Sequence, residues 1–174
     1  MPAPDPQIVV GGADPDLEAE LSRELDVYNL SRTGTDAPRE LTLKAHDADG
    51  RLVAGLSGWT WGTCAAISMV WVREDQRGEG WGTRLMAAAE EEARDRGCER
   101  AAVSSFTFQA PGFYHRLGYV ETGRTVGIPL EECDDVHLTK LLQAQEGVRG
   151  PLPPRGSGAY GPTAQVGGGP VETA

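Results

Sequence analysis

The stretch whose reading decides the fold is Val70-Trp71-Val72-Arg73-Glu74-Asp75-Gln76-Arg77-Gly78-Glu79-Gly80-Trp81-Gly82-Thr83. An apolar strand runs into a loop with three alternating glycines, and the loop opens a helix. Glycine lacks a Cβ, so main-chain N–H groups can turn inward and approach an anion closely. The following helix adds unpaired first-turn N–H groups and the positive end of its dipole. The predicted product is a main-chain seat for a phosphate or pyrophosphate. Two familiar alternatives fail on spacing. A dinucleotide-binding fold needs G-x-G-x-x-G and an acidic residue about 20 residues later at the end of a second strand; here the glycines read G-x-G-x-G and a helix follows. A nucleotide P-loop needs a lysine after its last glycine, and none is present.

Outward from this loop the chain predicts alternating elements. Upstream, Ile8-Val9-Val10 is a short apolar strand candidate. Asp14-Pro15 has the form of a helix N-cap followed by proline, with Leu17, Leu21, Leu25 and Tyr28 at helical spacing. Residues 31–39 are a polar connector. Leu41 to Ala45 alternates as a half-buried strand, Asp49-Gly50 is a hairpin signal, and residues 53–61 and 65–72 are two further strands turning near Gly62. Downstream, a helix is expected from Thr83 to Arg96, with Leu85, Met86, Ala89 and Ala93 on its inner stripe. Strand 101–104, a short helix from Pro111 to Gly118, and strands 119–125 and 136–142 complete the set. This order predicts an α/β fold with a mixed sheet flanked by helices.

Arg77-Gly78-Glu79-Gly80-Trp81-Gly82-Thr83-Arg84-Leu85-Met86 resembles the acetyl-CoA pyrophosphate loop of the GNAT superfamily of N-acetyltransferases. Downstream, Phe106-Thr107-Phe108-Gln109-Ala110-Pro111-Gly112-Phe113-Tyr114-His115-Arg116-Leu117-Gly118-Tyr119 resembles that family's second signature. The resemblance spans roughly residues 8 to 142 and implies a GNAT-like central sheet in a single domain covering 1–146, with residues 147–174 left as a Gly/Pro-rich flexible tail. Two departures stand out. Asp75 occupies a position usually held by Gln or Arg, and since it would repel a pyrophosphate its side chain is expected to turn away. Thr107 replaces a frequent Asn.

The resemblance implies transfer of an acetyl group from acetyl-CoA to a primary amine. The main-chain N–H groups of Arg77, Gly78, Glu79, Gly80, Trp81, Gly82 and Thr83 would hold the pyrophosphate. The backbone of Val70, Trp71 and Val72 would pair with the pantetheine arm, and Tyr114 would serve as general acid. A phenol with pKa about 10 is protonated at neutral pH and can donate to a departing thiolate. The base is left open among Glu121, Glu131, Asp134, Asp135 and His137. Trp59 and Trp61, on one strand face, together with Glu131, Asp134 and Asp135 in the acidic segment, are the candidate acceptor-binding residues.

Composition bounds the reading. The chain has 174 residues and a formal charge of −10, which argues against nucleic acid or an anionic membrane as partner and suits a cationic acceptor; under the resemblance, the expected acceptor is a small cationic metabolite or antibiotic. No apolar run approaches the roughly 18 residues of a membrane span, and no signal-peptide pattern opens the chain. Cys64, Cys98 and Cys133 have no metal-like spacing, so reduced thiols, a cytoplasmic setting and no metal are expected. A protein N-terminal or lysine acetyltransferase and a non-catalytic CoA-binding sensor are the alternative functions, and a homodimer is compatible with the resemblance.

Overall fold

The computed structural model describes residues 7–142; the Gly/Pro-rich tail expected from 147 lies outside them. The described chain divides at Ala37/Pro38 into two compact units. The first contains helix α1 (Pro15–Thr33). Asp14 caps it through a 3.0 Å bond accepted from the Leu17 N–H, and Pro15 occupies the first helical position as expected. None of its residues is buried, and Leu17, Leu21, Leu25 and Tyr28 are all exposed. The expected strand at Ile8-Val9-Val10 does not form: these residues are irregular and almost fully exposed. Three apolar residues with no partner strand to pair their backbone cannot make a strand alone.

The second unit is built on one six-stranded sheet in the order β1-β2-β3-β4-β6-β5. Its strands are β1 (Arg39–His46), β2 (Leu52–Trp61), β3 (Cys64–Val72), β4 (Arg100–Phe106), β5 (Val120–Val126) and β6 (Asp134–Leu141). All pairings are antiparallel except β3 with β4, so the sheet is mixed. The one parallel pair is joined by helix α2 (Trp81–Asp95), the crossover that parallel strands require. Helix α3 (Pro111–Arg116) links β4 to β5.

The registers sort the side chains onto two faces. Leu41, Leu56, Ala65, Val70, Val103, Val136 and Leu138 share one face and are buried with Leu85, Met86, Ala89 and Ala93 of α2. The expected apolar stripe of α2 is the one the core uses. Glu90 joins it as a buried carboxylate. Lys140 Nζ, on β6, reaches both Glu90 oxygens at 2.9 and 2.7 Å, which compensates the charge and ties helix to sheet. The opposite face carries Trp59, Ala66, Ala102, Ser104 and His137.

Candidate active site

The central feature is a split in the sheet. Parallel pairing of β3 with β4 runs from Cys64↔Arg100 to Ile67↔Val103 and stops. Beyond that point β3 stays registered with β2, through Met69↔Ser57, Val70↔Leu56 and Val72↔Ala54, while β4 stays with β6 as far as Phe106↔Asp135. A bulge drives the divergence. Ile67 pairs with Gly58 and Met69 with Ser57, so Ser68 is an extra residue opposite no partner, and an extra residue bends and twists its strand. The gap opens a cleft of about 420 Å³ bordered by Ser68, Val70, Val72, Val103, Ser104 and Ser105. Main-chain groups that would have continued the ladder have no strand to pair with on this side.

The glycine loop closes one end of the cleft. After β3 comes a short 3-10 turn, Glu74–Gln76, whose geometry already uses the Arg77 N–H in a 3.2 Å bond to the Glu74 carbonyl. From Gly78 to Thr83, no main-chain N–H donates to another group among the described residues; the first helical bond of α2 comes from Arg84 N to Gly80 O at 3.1 Å. Gly78 and Gly80 have φ of +84° and +78°, a left-handed conformation that side chains with a Cβ rarely adopt. Gly80 caps α2 without any side-chain acceptor, so the first turn of the helix remains open to an anion. The third glycine has a different role. A Cβ on Gly82 would lie 3.1 Å from Phe113 Cζ, so its absence lets α3 pack against the start of α2.

The charged side chains around this loop are largely engaged. Arg84 stacks on Trp81 with its guanidinium carbon 3.7 Å from the ring centroid, and it donates to the Glu79 carbonyl at 3.1 Å. Arg77 Nε donates to the Val72 carbonyl at 3.3 Å. Asp75 turns away, as expected, to accept from Arg73 Nε at 2.6 Å; Arg73 also bonds Asp47 at 2.7 Å, and this arginine holds both carboxyls below the usual aspartate range. Gln76 rather than Asp75 borders the cleft.

Tyr114, on α3, lines the cleft and is buried. Its ring meets Phe113 and Tyr119 edge-on, with centroids 5.0 and 5.9 Å apart. Its hydroxyl makes no hydrogen bond among the described residues. Burial pushes the phenol pKa up from 10.0 to about 12.

The structure brings together most of the residues expected at the donor side. Val70, Val72, Arg77, Gly78, Gly80, Trp81, Gly82, Thr83 and Tyr114 all border the cleft. Glu79 and Trp71 do not, and Trp71 falls in register with Gly55, on the opposite face from Val70 and Val72. The acceptor-side candidates lie apart from it. Trp59 and Trp61 do share a face, but they pair with Ala66 and Cys64 at the far end of β3 from the loop. The acidic residues separate by alternation across β6. Asp134 accepts from Arg124 at 2.8 Å and from the Gly127 N–H at 3.3 Å. Asp135 falls on the other face, opposite Phe106, with Oδ2 3.9 Å from His137 Nδ1 and with Oδ1 buried and unpartnered among the described residues. Glu131 is exposed. His137 is directly opposite Ser104, a cleft residue, and Thr125 Oγ1 is 2.9 Å from its Nε2.

Sequence reasoning missed Ser68 and Met69, because a bulge has no signature in strand periodicity. It also passed over Gln109, although the motif around Tyr114 contains it. No helix among the described residues is long and apolar enough to cross a membrane. Cys64, Cys98 and Cys133 are all free.

A mixed sheet split beside a glycine-opened helix defines an acyltransferase of the GNAT fold, and comparison with known proteins agrees. The profile of the acetyltransferase (GNAT) family matches residues 13–119, and the chain belongs to that family. It is similar to an acetyltransferase of Agrobacterium fabrum, 34% identical over 111 residues covering 64% of this chain and 81% of the relative. It is also similar to the blasticidin-S acetyltransferase of Streptomyces morookaense, 45% identical over 74 residues covering 40% of this chain; the match spans 52% of that relative, about half its length. Among solved structures, an acetyltransferase from Agrobacterium tumefaciens superposes with a TM-score of 0.73 at 29% identity, covering 79% of this chain and 99% of the other. One from Bacillus cereus gives 0.66 at 26% identity, covering 78% and 97%.

Proposed function

We propose that this enzyme moves an acetyl group from acetyl-CoA to the primary amine of a small cationic metabolite or antibiotic, with Tyr114 as general acid. The observation that carries the reading is the joining of three features at one cleft: an open sheet edge along β3, a run of N–H groups from Gly78 to Thr83 and a phenol, the N–H groups and the phenol without partners among the described residues. Each fits one part of acetyl-CoA. The pyrophosphate is an anion for the glycine loop and the start of α2. The pantetheine arm carries amides that can pair with the free edge of β3 at Val70, Trp71 and Val72, as an added strand does. The thioester then lies deeper, toward the bulge and Tyr114.

The reaction needs a neutral amine to attack the thioester carbonyl, an oxyanion to be held, and a thiolate to leave with a proton. Burial disfavours phenolate, so Tyr114 remains protonated across the physiological range. The same dry surroundings raise the proton affinity of the departing thiolate, which keeps donor and acceptor matched although the phenol sits at about 12. On the acceptor side, Asp135 fits an ammonium group better than its neighbours. Asp134 is already paired with Arg124, whereas Asp135 has an oxygen without a partner among the described residues and lies on the face of the sheet that carries Ser104. The relative from Streptomyces morookaense is named for blasticidin S, which favours an antibiotic among the acceptors to try first. We further propose that the acetyltransferase domain runs to residue 146, and that three free thiols fit a reducing cytoplasm.

The test is mass spectrometry of products after incubation with acetyl-CoA and a panel of polyamines, cationic antibiotics including blasticidin S, and lysine or N-terminal peptides. An acetylated small cation supports the proposal. Acetylation of peptides alone would assign the enzyme to protein modification, and CoA binding with no product from any amine would favour a sensor.

A further inference from the structure

Gln109 sits in the loop between β4 and α3 and borders the cleft. Its own N–H donates to the Phe106 carbonyl at 2.8 Å, and its side-chain oxygen Oε1 accepts from the Phe106 N–H at 3.1 Å. This reciprocal clamp fixes which way the amide points. The Phe106 N–H is a donor that cannot face an NH₂ group, so Oε1 must be the clamped atom and Nε2 must be directed away from it. Nε2 is buried and has no partner among the described residues. The neighbouring hydroxyls are engaged elsewhere: Ser105 Oγ accepts from the Ala110 N–H at 3.3 Å and Thr107 Oγ1 from the Asp134 N–H at 3.1 Å.

A buried amide donor left without a partner costs free energy, and native proteins rarely retain one. Here it belongs to a clamped side chain that borders the cleft, and it carries two protons and no charge. A neutral oxygen acceptor is its natural complement; a phosphate would be drawn to the glycine loop at the other end, where six N–H groups and a helix dipole await it. We infer that Gln109 Nε2 donates a hydrogen bond to a carbonyl oxygen of the acyl donor, and that the Phe106 clamp is what aims it. The inference rests on the proposed acetyl-CoA cleft. The carbonyl is either a pantetheine amide or the thioester itself, the chemistry of recognition being the same.

Gln109→Glu tests it, because Glu preserves the oxygen that accepts from Phe106 while replacing the donor with an acceptor. Gln109→Met removes the donor without adding charge and guards against protonation of the new carboxyl. Binding of CoA, acetyl-CoA and the thioether S-ethyl-CoA is measured by calorimetry on wild type and both variants, with melting temperature recorded alongside. One neutral hydrogen bond lost from a buried site predicts weakening by about tenfold in the variants. A loss shared by all three ligands assigns the bond to a pantetheine amide. A loss confined to acetyl-CoA, accompanied by a fall in kcat, assigns it to the thioester carbonyl. Unchanged affinity for every ligand in both folded variants, with unchanged kcat, overturns the inference. Failure of the wild type to bind any of the three overturns instead the cleft reading beneath it.

Discussion

Replacing Tyr114 by Phe removes one oxygen from the wall of the cleft and separates a catalytic tyrosine from a structural one. The ring keeps its edge contacts with Phe113 and Tyr119, and no hydrogen bond among the described residues is lost. Stability at pH 7 should therefore be unchanged or slightly raised, since a buried hydroxyl without a protein partner contributes nothing to offset its desolvation. Activity should fall sharply: loss of a positioned general acid lowers kcat by about 10²–10⁴-fold. The pH dependence gives an independent magnitude. The folded-state pKa of about 12, raised by burial from 10.0, means that folding favours the protonated phenol. Its contribution is fully present below pH 10 and is lost as pH rises through about 12, amounting to about 3 kcal/mol in full, of which about half is lost by pH 11. In Tyr114→Phe the alkaline loss of stability should be shallower by that amount. Burial raises Tyr119 in the same direction, with Glu90 adding to the effect, so part of the alkaline transition survives the substitution. The assay combines steady-state kinetics, CoA calorimetry and thermal melts at pH 7 and 11. Turnover within threefold of wild type, or a parallel loss of CoA affinity and melting temperature, would refute the assignment.

Other consequences are as specific. Lys140→Met leaves the buried Glu90 carboxylate with Arg94, at 3.6 Å, as its remaining ion-pair partner among the described residues; it should destabilise by about 3 kcal/mol, whereas the Glu90→Gln, Lys140→Met double variant should recover much of that loss in a denaturant titration. The glycines divide by role. Gly80→Ala, forcing a side chain onto φ +78°, should raise the KM for acetyl-CoA, while Gly82→Ala, crowding Phe113, should lower the melting temperature through about 1 kcal/mol of overpacking. Equal effects of the two on affinity would refute that division. Asp135→Asn should raise the acceptor KM by tenfold or more without changing that for acetyl-CoA, and Asp134→Asn should leave the acceptor KM near wild type.

The sequence by itself determined the elements that depend on local pattern. Asp14-Pro15 set the start of α1, the Leu85–Ala93 stripe set the buried face of α2, and the glycine spacing set a loop whose backbone is open to an anion. These follow from cap chemistry, periodicity and allowed φ, all of which act over a few residues. The same local logic failed for Ile8–Val10, because a strand exists only when another strand accepts its backbone bonds.

The tertiary structure decided everything that depends on which strands part company. The bulge at Ser68 and the end of β3–β4 pairing at Ile67↔Val103 create the cleft, and neither is written in alternation. Nor could the chain order say that Gly82 serves Phe113, a residue 31 positions downstream, while Gly78 and Gly80 serve the loop. Adjacent acids read alike as Asp134-Asp135, yet β6 turns one toward Arg124 and the other toward His137. Charge and residue type are local properties. Which charge is already neutralised by a partner from a distant strand is not, and that distinction separates a binding group from a structural one.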